Sequence, residues 1–488
     1  MIAPATGTVF GHLPLSSPAD VVVAFDSARA AGRAWARTPV RRRAAVVLAF
    51  HDLLLGARDP MLELIQAETG KARAHAFEEV LDVAIVSRYY ARSAPELLAP
   101  SRRRGVFPLL TDVMEYLQPH GVVGVIGPWN YPLTVTAGDA IPALLAGNAV
   151  VIKPDPQTSF TALFAAELLD RAGLPDGVLQ VVTGGRDTGA AVVDRSDFVC
   201  FTGSSAAGRE VAKRCADRLI GCTLELGGKN AMIVCSDADV RKTVRGAVHA
   251  CFSGAGQLCV SMERMYVSAA VYDRFVPAFA TAVAGMHLGP TNDFRSEMGS
   301  LASAAQLARV RGHVDEAVSA GAKVLAGGHA RPDLGPFFYE PTVLTGVTEA
   351  MAVCTEETFG PVVSVYRFDD EDAAVRAAND TSYGLNASVW TTDVARGRAL
   401  AQRLRAGTVN INDGYAAAWA SVDAPMGGVG DSGLGRRHGA QGLAQYVRSQ
   451  TVATQRIVGL SPPPGIPRGV WARVLEYAVR GLKNSGWR

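Results

Sequence analysis

Val122-Val123-Gly124-Val125-Ile126-Gly127-Pro128 is the stretch that decides the fold. An apolar run this short, closed by Gly-Pro, reads as a buried strand feeding a loop. Ala149-Val150-Val151-Ile152 before Lys153-Pro154 repeats the pattern, and a helix is expected over about 158–172. Residues 178–182 and 198–201 read as further strands. Strands alternating with helices at this spacing predict a parallel sheet with right-handed crossovers, an α/β fold. A second α/β set is expected from 231 to about 424, with strands near 231–234, 265–267, 361–367, 387–390 and 407–411. Upstream, residues 18–100 read as helix-rich: Ser17 or Asp20 suits a first helix cap, and 41–55 carries an apolar stripe.

At 488 residues the chain exceeds one hydrophobic core and predicts about two or three domains. A net charge of +2 argues against nucleic acid as the main partner, which a strongly basic face would signal. The seven cysteines are odd in number and lack CxxC pairs, so neither a disulfide framework nor a zinc site is expected. No signal peptide is visible in MIAPATGTVFGHLPL, and the apolar stretch 141–152 is too short to span a bilayer. A cytoplasmic protein is expected.

Gly256-Gln257-Leu258-Cys259 lies downstream of Glu225-Leu226-Gly227-Gly228-Lys229, the cysteine following Glu225 by 34 residues. A thiol attacks as thiolate, and a carboxylate held in the same pocket can activate water. A lone cysteine in such a setting is more often a buried small apolar residue. Phe201-Thr202-Gly203-Ser204 is placed between a strand and a helix, where a glycine admits a ligand and the helix start favours an anion; a tight turn explains it equally well. Lys153 at a strand end suits a ribose or phosphate, or is only solvated. Asn130, in Pro128-Trp129-Asn130-Tyr131-Pro132, suits an oxyanion donor or an Asx turn.

Together PWNYP at 128–132, AGNAVVIKP at 146–154, FTGS at 201–204, LELGGKN at 224–230 and GQLC at 256–259 resemble the aldehyde dehydrogenase superfamily. EETFGPV at 356–362, YGLNASVW at 383–390 and PMGGVGDSGLGRRHG at 425–439 extend the likeness, which runs from roughly 18 to 458. The wording is closest to actinobacterial succinate-semialdehyde dehydrogenase-like proteins. The resemblance implies a Rossmann-type cofactor domain (1–100 and 121–226), an α/β catalytic domain (227–427), and a small β oligomerisation element (101–120 and 447–460). It implies Cys259 as nucleophile, Glu225 as general base and Asn130 as oxyanion donor. Around a dinucleotide it implies Ile126, Trp129, Lys153, Asp155, Gly185, Arg186, Gly189, Gly203, Ser204, Leu226, Glu357 and Phe359. No metal is implied, and a homodimer or homotetramer is.

Departures from the family pattern sharpen the expectations. Pro156 stands where the family often has a glutamate for the adenosine ribose, which favours NADP over NAD; Arg186 suits a 2′-phosphate, whereas Asp155 argues for the ribose. Arg437 replaces the usual glutamate of a GRExG pattern and reads as structural. The positions expected to carry arginines for a succinate semialdehyde carboxylate are Gly138 and Ser253, neither basic; Arg264 is a substitute. Tyr415, Trp419 and Phe252 equally suit an uncharged aliphatic or aromatic aldehyde. After Ser461-Pro462-Pro463-Pro464, Trp471, Val474, Leu475, Ala478 and Leu482 share a helical face of a basic tail (461–488), suited to a neighbouring subunit more than to an anionic membrane. Three functions are weighed: hydrolytic aldehyde oxidation with NADP or NAD, acyl transfer to coenzyme A, and a non-catalytic protein of the same fold. Glu225 argues against the second, and Cys259, Glu225 and Asn130 together argue against the third.

Overall fold

The computed structural model describes residues 1–105, 111–456 and 459–484. The expected bridging strands and basic tail therefore lie partly outside the described residues, at 106–110, 457–458 and 485–488.

Val122–Ile126 is a strand with every residue buried, at the centre of a six-stranded sheet. It pairs in parallel with Ala149–Lys153 on one side, Ile126 opposite Lys153, and with Phe198–Thr202 on the other. Leu179–Val181 and Gly221–Glu225 extend the sheet in parallel at either side. Parallel pairing requires crossovers, which the helices Ser159–Arg171 and Arg186–Val193 supply. Both faces are thus covered, which is why the strands are apolar at successive positions instead of alternating. Gly124 has a packing reason: a Cβ there would lie 2.2 Å from Ser196 Oγ and 2.9 Å from Val192 Cγ1.

The helical start follows its sequence signals. Pro18–Arg37 opens with a capping box: the Ser17 hydroxyl accepts from Asp20 N, and the Asp20 carboxylate accepts from Ser17 N at 2.7 Å. Val40–Gly56 and Arg73–Leu97 pack against each other and join one large core with the buried strands.

A seven-stranded sheet holds Asn230–Val234, Met262–Ser268, Val362–Phe368, Asn386–Trp390 and Thr408–Ile411 in parallel, with Thr342–Thr345 beside Val362–Phe368 and Lys323–Ala326 antiparallel at the edge. A three-stranded antiparallel sheet joins Ser101–Arg104, Thr111–Pro119 and Val447–Gln455. The strand Gly221–Glu225 was not expected from sequence, because Gly221, Cys222 and Thr223 carry no apolar run. It matters because Glu225 is its last residue. One further pairing brings distant chain to it: Gly433-Leu434 runs antiparallel to Leu224-Glu225. The helix Arg468–Asn484 buries none of its residues against the rest of the chain, and Trp471 Nε1 donates to the Leu460 carbonyl at 3.0 Å. Among the described residues, no helix is long and apolar enough to cross a membrane.

Candidate active site

Ile126, Lys153, Thr202 and Glu225 are each the last residue of a parallel strand in the six-stranded sheet. Open α/β sheets bind ligands outside that edge, where loops diverge and helix N-termini converge. Here the edge faces the loop 253–261, which precedes the strand Met262–Ser268 of the other sheet. Between them is a cavity of about 230 Å³ whose wall includes Cys259, Glu225, Asn130, Trp129, Glu357 and Phe359. Gly203, Ser204 and Leu226 complete the expected residues on that wall.

The loop bearing Cys259 is held by backbone geometry. Gly254, Ala255 and Gly256 take φ of +58°, +57° and +67° in succession, which turns the chain sharply before Gln257. Gly256 is required for a second reason: a Cβ there would lie 2.1 Å from the Gly360 carbonyl oxygen. It thereby seats this loop on the Phe359-Gly360-Pro361 segment. On the other side, Asn230 Nδ2 donates to the carbonyls of Cys259 and Ser261 at 2.7 and 2.8 Å. The glycines after Glu225 are equally specific. A Cβ on Gly227 would meet Glu357 Oε2 at 2.4 Å, and one on Gly228 would meet the Cys259 carbonyl oxygen at 2.7 Å.

Two buried ion pairs brace the remaining loops. Lys71 Nζ donates to Glu79 Oε1 and to the Asn130 carbonyl, both at 2.6 Å, and sits 3.6 Å from the Tyr131 ring centre. Glu79 Oε2 accepts from Leu133 N at 2.9 Å, so one carboxylate ties the helix Arg73–Leu97 to the Trp129–Thr134 segment. Asn130 Nδ2 donates one hydrogen to the Gln257 carbonyl at 2.9 Å, which orients the amide and leaves its second hydrogen for a ligand. The Lys229–Glu263 pair does the same opposite. Glu263 accepts from Thr358 N and Phe359 N, both at 2.9 Å, and holds Phe359 at φ +54°. Phe359 then meets Trp129 edge to face, ring centres 5.5 Å apart.

Electrostatics separate Cys259 and Glu225 from their ordinary behaviour. Burial pushes the Cys259 thiol up to about 12, with Glu225 and Glu357 adding to the effect and Arg437 opposing it. Burial likewise pushes the Glu225 carboxyl up to about 8; Arg437 pulls it down, Asp139 pushes it up and Arg436 pulls it down. Glu225 Oε1 has no protein hydrogen-bond partner, although it is buried.

Ile126, Lys153, Asp155, Gly185, Arg186 and Gly189 do not line this cavity, whereas Gly203 and Ser204 do. The Lys153 stem passes over Gly189, where a Cβ would lie 3.9 Å from Lys153 Cδ. Gly185 and Arg186 are exposed at the start of the helix Arg186–Val193, and a Cβ on Gly185 would meet nothing. Asp155 Oδ1 accepts from Gln157 N at 2.9 Å and caps the turn Pro156–Thr158. The Gly203 hydrogen makes room for the Phe201 ring, 2.7 Å from a would-be Cβ. The Ser204 hydroxyl accepts from Ala207 N and caps the helix Ser205–Asp217.

The substrate side differs from expectation. Arg264 is no anchor for a substrate: its Nε and Nη2 donate to the Lys229 carbonyl, and its Nη atoms to those of Ala377 and Ala378. Phe252 stacks on Phe279 in the core packed on the seven-stranded sheet and does not line the cavity. The Tyr415 hydroxyl bonds Glu78, and of the three aromatic residues singled out only Trp419 reaches the cavity, beside Tyr131, Val135, Leu258, Val260 and Met426. Arg437, read from sequence as structural, is on the cavity wall. Its backbone pairs antiparallel with Met426, a contact that the motif around it does not reveal.

Residues 1–452 match the aldehyde dehydrogenase family. The chain belongs to this family. It is 52% identical over 476 residues to a Mycobacterium tuberculosis protein with a provisional succinate-semialdehyde dehydrogenase (NADP+) name, covering 97% of this chain and 92% of that one. It is 38% identical over 450 residues to a 4,4′-diapolycopene aldehyde oxidase of Methylomonas sp., covering 91% and 83%. A crystal structure of a Mycobacterium tuberculosis aldehyde dehydrogenase complexed with NAD+ superimposes with a TM-score of 0.88 at 38% identity, covering 92% and 93%.

Proposed function

We propose that this aldehyde dehydrogenase oxidises an aldehyde to a carboxylic acid with NADP or NAD. The observation that carries the reading is one cavity walled by Cys259, Glu225 and Asn130 at the C-terminal edge of a parallel sheet. The residues present fit a dinucleotide: the buried Thr202 hydroxyl on this wall has no protein partner, and the helix Ser205–Asp217 starts beside it. Glu357, Phe359, Trp129, Leu226 and Ser204 would hold the nicotinamide half and pyrophosphate, with Ile126, Lys153, Gly185 and Gly189 along the rest. Bound NAD(P)+ supplies a hydride acceptor.

In this reading Cys259 Sγ attacks the aldehyde carbon, its proton leaving for solvent or a base. The Asn130 amide and the Cys259 backbone N–H stabilise the oxyanion. After oxidation the acyl group remains on sulfur as a thioester. Glu225 takes a proton from water, and the hydroxide formed displaces Cys259. Asn130→Ala is expected to lower kcat by about 10²–10³-fold with KM little changed, measured as initial rates of NAD(P)H formation. A change confined to KM would remove Asn130 from the oxyanion role.

The apolar substrate side, with Tyr131, Val135, Leu258, Val260, Trp419 and Met426, supports an uncharged aliphatic or aromatic aldehyde. Succinate semialdehyde is the second reading, favoured by the name of the 52% identical relative. For the cofactor, Pro156 in place of a ribose-binding acid and the engagement of Asp155 as a cap favour NADP. A screen from succinic semialdehyde to benzaldehyde, each with NADP and NAD, is the test. Higher kcat/KM for the uncharged aldehydes with NADP is expected; a clear preference for succinic semialdehyde reverses the substrate assignment. A homo-oligomer formed through the three-stranded sheet, with cytoplasmic location, completes the proposal.

A further inference from the structure

Arg437 is a guanidinium on the wall that also carries Glu225 and Cys259. Its Nη2 is 2.7 Å from Asp139 Oδ1, an anchor on the buried helix Asp139–Leu145. Its Nε is buried with no protein partner, as is Glu225 Oε1. A fixed cation and a carboxylate thus share one cavity wall, each with a buried hydrogen-bonding atom that lacks a protein partner.

We infer that Arg437 is a positioning residue for Glu225, a permanent counter-charge on the same cavity wall that opposes the effect of burial and favours the ionised, water-activating form of the carboxylate. The inference rests on the reading of Glu225 as general base. The groups facing Glu225 are Arg437 and Arg436 from the segment after Gly433-Leu434, Asp139 from its helix, Cys200 from Phe198–Thr202, and Cys259 across the cavity. Asp82, from Arg73–Leu97, acts on Arg437 from behind. Burial alone drives Glu225 towards the protonated acid, and Arg437 is first among the groups opposing that drift. Asp139, Glu225 and Asp82 already act on Arg437, which leaves it poorly suited to anchor a substrate carboxylate.

The sign follows from the charge. Glu225 acts as a base only when ionised, so turnover falls as pH drops through its pKa. Removing a nearby cation raises that pKa, moving the acid limb of the steady-state rate to higher pH. An opposite charge at short range shifts a carboxylate by about 1–3 units.

The test compares full pH profiles of kcat, and the pre-steady-state burst of NAD(P)H, for the wild type, Arg437→Gln, Arg437→Lys and Asp139→Asn, with benzaldehyde and succinic semialdehyde. Arg437→Gln is expected to move the acid limb up by about 1–3 pH units while keeping the burst. Arg437→Lys keeps the limb close to wild type. Asp139→Asn, which removes a charge that raises Glu225, moves it down. A limb unmoved in Arg437→Gln, a limb moved equally in Arg437→Lys, or a KM rise confined to succinic semialdehyde overturns the inference. If Arg437→Gln does not fold, Asp139→Asn decides, and an upward or absent shift there overturns it. Glu225→Gln separates the two readings. Normal turnover in that variant removes the base and this inference with it; lost turnover beside an unmoved Arg437→Gln limb removes this inference alone.

Discussion

Replacing Cys259 with alanine is expected to reduce NAD(P)H formation from every aldehyde by at least about 10⁴-fold, the loss typical when a covalent nucleophile is removed. The cavity itself remains, because the loop is set by Gly254, Ala255 and Gly256 and by Asn230, not by the sulfur. Cofactor binding, followed by fluorescence titration, is therefore expected to persist. Unchanged aldehyde oxidation in this variant would remove the covalent mechanism. The raised thiol pKa adds a second readout. With the thiol pushed up to about 12, the resting protein holds Cys259 largely protonated at neutral pH. Alkylation by iodoacetamide is then slow at neutral pH and accelerates as pH rises, because only the thiolate reacts. Pre-incubation with NADP is the arm that shows whether the bound cofactor alters this.

Glu225→Gln carries the second large effect. Steady-state turnover is expected to fall by about 10²–10⁴-fold, the range for a lost general base, while the first burst of NAD(P)H survives. The split is expected because, in the proposed mechanism, attack and oxidation use Cys259 and Asn130, whereas release of the thioester needs activated water. Stopped-flow measurement of burst and steady state with one aldehyde checks it, and loss of the burst would place Glu225 in the first half of the reaction instead. The pH dependence has a definite sign. A carboxyl pushed up to about 8 is ionised above that pH and protonated below it. Wild-type turnover accordingly falls as pH drops below about 8, and the limb disappears in Glu225→Gln.

Much of this protein was legible as sequence because its signals are local. The strands at 122–126, 149–153 and 198–202 are runs of apolar residues bounded by turns, and of the two caps offered for the first helix Ser17 is the one used. The strand Gly221–Glu225 escaped because its register comes from pairing with Phe198–Thr202, not from its own composition. Glycines were legible as necessary but not as to why. Gly256 serves contact with Gly360, and Gly227 serves the Glu357 carboxylate; both partners are over a hundred residues away in sequence. Arg264 illustrates the converse. As a letter it is a free cation near Cys259, yet in the fold its guanidinium is bound to three backbone carbonyls.

The sequence by itself determined an α/β chain, and its resemblance to the aldehyde dehydrogenases pointed to a candidate cysteine, carboxylate and amide. Periodicity is a local property and suffices for the fold class; the candidate residues came from the likeness of several short motifs to the family. Tertiary structure alone decided what surrounds those groups. Burial depth and charge proximity depend on which distant segments meet, and they set the proton affinities of Glu225 and Cys259. Arg437 is the sharpest instance: its own bridge to Met426, after the Gly433-Leu434 pairing, puts it on one cavity wall with a glutamate more than two hundred residues earlier.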